Sequence, residues 1–345
     1  MLKYTPYLLQ AIDALVPGSG QASEGLADIL ITRESQWGHP IINGKALKGA
    51  LKSHVADLMN GKLPFFIDHE MIAIFGSDRE HQQDSKTNED NKNQHNQEAA
   101  KKSQNAGHGT SCGRVVFQDA FLLALPLPGG TENALHRPVW ITCHRAMANM
   151  VWTLRQWVVP RRLGGTDVTK ELIEKLSKCL INIKNPESSF ILYSEKGEDN
   201  ILRDLKGSAG KLESNPFPLQ DFIDNTDPML PKDWALVNDD LFTDLCRQYL
   251  PIAQGNRVSD NGSDALYYYE TLPRGTLFWT LLGLECGFVD TDNKLPNTYE
   301  KMTKALIKYP FQIGAKESTG HGHVIFRELG TIKEDESKGN AEQPS

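Results

Sequence analysis

Short runs in which apolar positions alternate with polar ones, or follow one another without a break, predict strands over Tyr7 to Ile12, Leu26 to Thr32, Arg114 to Gln118, Leu277 to Leu284 and Gly322 to Arg327. Longer stretches with a 3.6-residue period predict helices over Lys45 to Asn60, Arg145 to Val158, Thr169 to Leu180 and Asn297 to Lys308. In the first of these, Leu47, Leu51, Val55 and Leu58 form an apolar side, and Lys45, Lys48 and Lys52 recur on the other. The mixture implies an α+β fold with a mostly antiparallel sheet, and no repeat of solenoid length is visible. Two segments break the pattern. Asp78 to Ser111 is nearly devoid of apolar residues and reads as a disordered insertion, and the polar stretch 331–345 reads as a flexible tail, which leaves 1–330 as one folded unit.

Around residues 250–267 the pattern predicts a hairpin. Asn261-Gly262 is a tight-turn signal inside the polar run Arg257 to Asp264, and the turn is flanked by Ile252 and by Leu266-Tyr267-Tyr268-Tyr269. The tyrosines could pack against the body of the protein or stay available for stacking.

Two glycine clusters mark places where backbone N–H groups can approach an anion without a Cβ in the way: Pro17-Gly18-Ser19-Gly20, and Gly314 to Gly322 with Lys316, Ser318, Thr319, Gly320 and His321. Gly44, at the start of the lysine-bearing helix, would add unpaired amide donors and a partial positive charge. Together with Lys45, Lys48 and Lys52 these features suit phosphate contact, although lysines at helical spacing equally describe an ordinary solvated face. Arg33 and His39 are further candidate contacts, with Arg33-Glu34 also readable as a local ion pair.

The net charge of −7 by itself argues against a nucleic-acid partner. Its distribution removes much of the objection. Glu195 to Asp244 holds twelve acidic and five basic residues, so the remainder of the chain is close to neutral. By contrast, His136 to Arg162 contains Arg137, Arg145, Arg155, Arg161 and Arg162 with no acid, interleaved with Trp140, Trp152 and Trp157. Five widely spaced cysteines without a Cys-x-x-Cys pair argue for buried thiols rather than disulfides or zinc. His69, His81, His95 and His108 match no metal-ligand spacing. No apolar run approaches the roughly 20 residues a bilayer requires and no signal-peptide pattern opens the chain, so no membrane partner and a cytoplasmic location are expected. Gly44 to Gly49 lacks the Lys-Ser/Thr of a P-loop, Gly18-Ser19-Gly20 lacks the rest of a dinucleotide fingerprint, and no Gly-x-Ser-x-Gly elbow occurs.

The ordered set of motifs resembles the backbone subunit of the type III-B CRISPR RNA-silencing (Cmr) effector complex, within the RAMP superfamily. It comprises Pro17 to Gly20, Gly25 to Glu34 with Asp28, Gly44 to Gly49, Ile74 to Ser77, Gly113 to Ala120, Glu270 to Phe278 and Ile313 to Val324. It spans almost the whole chain. Val16 departs from it, because relatives often carry a histidine just before the glycine turn.

The resemblance implies a ferredoxin-like, RRM-type palm with the two glycine turns meeting on one side. It also implies a projecting β-hairpin thumb, here near 250–267 with Arg257, Val258 and Asn261, that wedges into a guide–target duplex. Gly18, Ser19, Gly20, Arg33, His39, Lys45, Lys48, Lys52, Lys316, Ser318, Thr319, Gly320 and His321 would contact RNA. Asp28 aligns with the acidic loop residue at which relatives cut target RNA. It would be the catalytic group and a ligand of Mg²⁺ or another divalent metal, assisting attack of a ribose 2′-OH on its own phosphate. Read without the resemblance, Asp28 is better described as a turn or cap residue. The implied partners are guide crRNA, complementary target RNA, copies of the chain in a filament and other subunits of the effector complex. Three rivals remain: a non-catalytic RNA scaffold, a type III-A backbone subunit, and a guide-processing RAMP nuclease.

Overall fold

The computed structural model describes residues 2–22, 27–60, 68–77, 112–131, 134–135, 138–157, 167–182, 190–194, 201–202, 212–214, 233–259, 262–285 and 294–329. The N-terminal half contains β1 (Leu2–Ala11), β2 (Gly18–Ala22), β3 (Ile29–Ile31), β4 (Ile41–Ile42), α1 (Gly44–Asn60), α2 (Asp68–Phe75), β5 (Val115–Phe117), β6 (Ala120–Leu127), β7 (Gly129–Thr131), β8 (Ala134–Leu135), β9 (Val139–Cys143), α3 (His144–Trp157) and α4 (Asp167–Asn182). After these come β10 (Phe190–Ser194), β11 (Ile201–Leu202), β12 (Leu212–Ser214), β13 (Asp233–Val237), α5 (Asp239–Gln248), β14 (Ile252–Ser259), β15 (Gly262–Glu270), β16 (Leu277–Glu285), α6 (Lys294–Lys308), β17 (Phe311–Gln312) and β18 (His323–Glu328). The predicted elements are present, but β1 begins five residues before the expected Tyr7 and, of the strand expected over Leu26 to Thr32, the described part is extended only over Ile29–Ile31. The insertion 78–111, the tail 331–345 and Asn261 lie outside the described residues.

The main sheet runs β12-β10-β13-β9-β6-β16-β1-β18-β17, with β4 on β6 and β5 on β16. It is mostly antiparallel, the exceptions being β10 with β12 and β13 with β9. β1 and β16 lie at its centre and are buried on both faces. Tyr7, Leu9 and Ala11 enter one core with Phe278, Leu282 and Leu284, and Tyr4 and Leu8 enter the other with Leu277, Trp279 and Leu281. A strand covered on both sides needs apolar residues at successive positions, which accounts for the run Leu277 to Leu282, broken only by Thr280, whose buried hydroxyl donates to the Gln118 carbonyl at 3.0 Å. Leu47, Leu51 and Val55 of α1, Ile74 of α2 and Met302 and Leu306 of α6 close the first core. Met147, Met150 and Leu154 of α3 and Leu172 and Leu176 of α4 close the second.

The tryptophans of the arginine-rich stretch divide. Trp140 is buried and Trp157 packs edge-on against Tyr4, whereas Trp152 is 62% exposed. The cysteines depart from expectation at Cys112, which is exposed, while Cys143 and Cys246 are buried. Cys112 bridges Gly76, so the described residues that flank 78–111 lie side by side.

Strand direction gathers the loops of interest. β1 runs antiparallel to β16 with Gln10 opposite Leu277, and antiparallel to β18 with Ala11 opposite Val324. The C-terminal end of β1 therefore lies beside the N-terminal ends of both neighbours. The loop after β1, the hairpin that precedes β16 and the glycine loop that precedes β18 all emerge at the same end of the sheet.

Next to this end, residues 33–40 form an internal brace. Arg33 donates to the Cys246 carbonyl at 2.6 Å and pairs with the Glu270 carboxylate at 2.9 Å. Glu34 faces His39 rather than Arg33. His39 is 4% exposed, its Nε2 lies 3.2 Å from the Thr243 hydroxyl, and its ring meets Phe242 edge-on. Arg33 and His39, expected as RNA contacts, are thus placed as interior supports, because the loop folds inward between α5 and β15. Burial, reinforced by the Arg145 guanidinium, lowers the His39 pKa to about 4, and burial raises that of Glu34.

An imidazole that titrates near 6.5 when unfolded and near 4 when folded leaves the unfolded chain holding more protons between those values. His39 therefore costs no stability above pH 6.5 and withdraws it as the pH falls towards 4, by roughly 2 kcal/mol at pH 5. Glu34 acts in the opposite sense, since a raised folded pKa favours the native state on the acid side. Urea unfolding at pH 7.5 and pH 5 should show the wild type losing more stability than His39→Gln by about that amount. Equal losses would mean that the ring is solvated.

Candidate nucleic-acid interface

At the shared end of the sheet the two glycine turns meet, as expected. The Val16 carbonyl accepts hydrogen bonds from Gly18 and from Ala315, each at 2.8 Å, and Gly322 donates to Ala14 at 2.9 Å. Gly314 adopts φ +94°, and a Cβ there would run into the Val16 carbonyl, so the close approach requires glycine. Val16 is fully buried beneath this junction. His323 donates through its amide to Asp13 at 2.9 Å and sets its Nδ1 2.5 Å from the second oxygen of the same carboxylate, which ties the loop after β1 to the start of β18.

A second, four-stranded sheet, β14-β15-β3-β2, is built onto this junction. β14 and β15 are the predicted hairpin, extending from Ile252 to Glu270. β2 carries Gly18, Ser19 and Gly20 on the opposite edge of the same sheet, and Pro17 accepts from the Thr32 amide at 2.7 Å. Alternation along β15 gives the hairpin two faces. Leu266 and Tyr268 point outward, 54% and 38% exposed, and Tyr267 and Tyr269 point towards the C-terminal glycine loop. Arg257 and Val258 lie on β14, opposite Ala265 and Ser263.

Asp28 stands at the base of this hairpin. Its amide donates to the Tyr268 carbonyl at 2.8 Å, and its Oδ2 accepts from the Tyr268 amide at 2.7 Å. One residue of β15 thus holds both the backbone and the side chain of Asp28, while the residue itself remains exposed. The anchoring continues along the chain: Ile29 pairs with Tyr269, and the buried Glu270 carboxylate accepts from the Ile31 amide at 3.2 Å on one oxygen and from Arg33 on the other.

The C-terminal loop is closed by Gln312, whose amide donates to the carbonyls of Glu317 and His321. A 3₁₀ turn, Glu317–Thr319, leaves Ser318, Thr319 and Gly320 exposed, and the Thr319 hydroxyl is turned back to the Lys316 carbonyl at 2.9 Å. His321 meets Tyr269 edge-on at 6.0 Å. Lys316 lies 4.1 Å above the Tyr267 ring and 5.0 Å from that of Tyr269. Glu317 adds a carboxylate to the loop, which tempers its attraction for anions.

The lysine-bearing helix is placed differently from expectation at its first residue. The Gly44 amide donates to Asp119 at 2.7 Å, so a carboxylate already occupies the donor that an RNA phosphate was expected to take. Lys45 is exposed and Lys48 half-buried on the outer side, and α1 packs through its apolar side on β5 and β17. Among the described residues no hydrogen bond or ion pair joins Lys45 or Lys48 to the glycine loops.

Among the described residues no three His, Cys, Asp or Glu side chains converge as a metal cage. Asp28, with one oxygen engaged by the Tyr268 amide, suits a single ligand to a hydrated ion whose other positions are filled by water and phosphate oxygens, the usual habit of Mg²⁺ at phosphate sites. No described helix is long and apolar enough to cross a membrane.

Sequence reasoning singled out Asp28, the hairpin and both glycine turns, and the structure brings these segments together at one end of the main sheet. It missed Tyr268 as the anchor of Asp28, Glu270 as the brace of β3, and Asp13 with His323. The alternation of Leu266 to Tyr269 places 266 and 268 on the face opposite 267 and 269, but it gives no signal for the backbone anchor at Tyr268 or for the buried Glu270.

Comparison with known proteins agrees with this architecture. The chain is 24% identical over 317 residues to the CRISPR system Cmr endoribonuclease Cmr4 of Pyrococcus furiosus, covering 89% of this chain and 90% of that protein. It superposes on a subunit of the type III-B Cmr-beta complex in its apo state with a TM-score of 0.64 at 16% identity, covering 94% of this chain and 97% of the other. For oligomeric Cmr4 from Pyrococcus furiosus the TM-score is 0.58 at 18% identity, over 95% and 99% of the two chains. Residues 8–325 match the family model of the RAMP superfamily, and the chain belongs to that superfamily.

Proposed function

We propose that this chain is a repeated backbone subunit of a type III-B Cmr effector complex, which binds guide crRNA along its length and cuts complementary target RNA at regular intervals. The observation that carries the reading is Asp28: an exposed carboxylate, fixed by Tyr268, at the base of a projecting hairpin where two glycine turns meet. In this reading the main sheet with α1 and α6 is the ferredoxin-like palm and β14–β15 is the thumb. Copies of the chain stack into a filament beside other subunits of the complex, and the subunit repeat sets the cutting interval. Guide pairing selects the target, so the protein's contacts to the backbone need carry no sequence information.

The outward face of the thumb presents Leu266 and Tyr268 to the bases beside a displaced pair. Splaying the target there would align a ribose 2′-OH with its own phosphate. Asp28 would take the 2′-OH proton as the 2′-oxygen bonds to phosphorus. The bond to the 5′-oxygen breaks, the leaving oxygen gains a proton from water, and the products are a 2′,3′-cyclic phosphate and a 5′-hydroxyl. A divalent ion such as Mg²⁺, held by Asp28 and RNA phosphates, would supply charge neutralisation at the phosphate. Lys45, Lys48 and Lys52 on α1, with Gly18, Ser19 and Gly20 on β2 and Ser318, Thr319, Gly320 and His321 on the C-terminal loop, would contact RNA phosphates.

A second reading has its own support. A carboxylate that accepts a neighbouring strand's amide is also what a purely structural cap requires, and a scaffold that only holds RNA would show the same bond.

Asp28→Ala in a guide-loaded assembly is expected to reduce target cutting by at least 100-fold, with guide and target affinity within two-fold of wild type. Unchanged cuts would make Asp28 a cap and the chain a scaffold. Lys45→Ala and Lys48→Ala should each weaken RNA binding uniformly across sequences and lower the salt slope by about one, read from binding isotherms at several salt concentrations.

A further inference from the structure

The inward face of the hairpin contains an arrangement that neither phosphate binding nor proton transfer requires. Gly255 lies directly opposite Tyr267 in the β14–β15 register. A Cβ at Gly255 would run into Tyr267 Cζ and its phenol oxygen, so the ring occupies space that is free because nothing projects from the neighbouring strand there. On its other side Tyr267 meets Lys316, whose ammonium lies 4.1 Å from the ring centre, contacts the phenol oxygen, and is 5.0 Å from the Tyr269 ring. Lys316 has φ 73° and is the one residue other than glycine in the left-handed region among the described residues. Such a conformation persists only where its surroundings hold it. Here the Lys316 carbonyl accepts from Thr319 and His321, and the side chain is directed back onto the hairpin.

Tyr267 and Tyr269 flank Tyr268, the residue whose amide and carbonyl hold Asp28. We infer that Lys316 is a positioning residue: through cation–π contact with Tyr267 and Tyr269, and with Gly255 as the seat for the first ring, it clamps the base of the hairpin so that the Tyr268 backbone fixes the Asp28 carboxylate. The C-terminal glycine loop then serves as the anchor of the thumb, and the lysine is spent on tyrosines rather than on phosphate. Cation–π pairs of this geometry are worth more when desolvated, and Lys316 and Tyr267 are both half-buried. The catalytic half of the inference rests on the proposed role of Asp28, and the clamp itself does not.

The test compares wild type, Lys316→Met, Lys316→Arg and Gly255→Ala in the guide-loaded assembly. It measures single-turnover cutting at saturating target, target Kd at two salt concentrations, and amide hydrogen exchange of peptides spanning 266–270 and 27–31. Lys316→Met and Gly255→Ala, which attack the clamp from opposite sides, should each speed exchange in both peptides and slow cutting about ten-fold, with Kd within two-fold. Lys316→Arg, which keeps the cation over the rings, should stay within three-fold of wild type in every readout. Unchanged exchange in both disabling variants overturns the clamp. A ten-fold loss of target affinity with a shallower salt dependence in Lys316→Met overturns it in favour of a phosphate contact. Faster exchange with undiminished cutting, where Asp28→Ala abolishes cutting, overturns the positioning role. If Asp28→Ala cuts like wild type, the proposed nuclease activity fails while the exchange measurements still decide the clamp.

Discussion

Everything at the functional end of this protein depends on the antiparallel pairing of β1 with β16 on one side and β18 on the other. Antiparallel neighbours put the end of one strand beside the beginnings of the others, so three chain segments remote in sequence emerge together. Burial on both faces makes this pairing costly to shift. A one-residue slip of β1 would move Leu8 and Leu9 each into the other's core, and every side chain along the strand would follow.

On that base the smaller sheet is assembled by hydrogen bonds of a specific kind. Backbone amides there are taken by acidic side chains: Asp28 accepts the Tyr268 amide and Glu270 the Ile31 amide, and at the edge of the main sheet Asp13 likewise accepts the His323 amide. Each carboxylate receives further support, from Arg33 in the case of Glu270 and from the His323 ring in the case of Asp13. Asp28 differs in being exposed, and its Oδ1 makes no such second contact among the described residues. A carboxylate held in place by one oxygen and exposed to solvent suits chemistry better than a fully paired one.

The tyrosine run Tyr267-Tyr268-Tyr269 shows how one strand can serve two purposes. Period-2 alternation turns Tyr268 outward beside Leu266, where it is accessible, and turns its neighbours inward towards Lys316 and His321. The proposed role as a thumb requires stiffness at the root of the hairpin, and packing on its inner face supplies stiffness without touching the outer face.

Much of this was legible in the sequence. Helical and strand periods locate α1, α3, α4, α6, β16 and β18 to within a few residues, and the second half of β1, because amphipathic and doubly buried patterns are local properties of the chain. Asn261-Gly262 announces the hairpin for the same reason, and the order of motifs around Asp28 and the two glycine clusters points to the superfamily. Pairing partners were not legible. That Arg33 reaches Glu270 and Cys246, that Asp119 occupies the Gly44 amide, that His39 turns inward and that Lys316 faces tyrosines are outcomes of register between segments hundreds of residues apart. Charge and residue type made each of these a plausible RNA contact, but only the folded sheet decides which polar groups are already spent inside the protein and which remain facing outward.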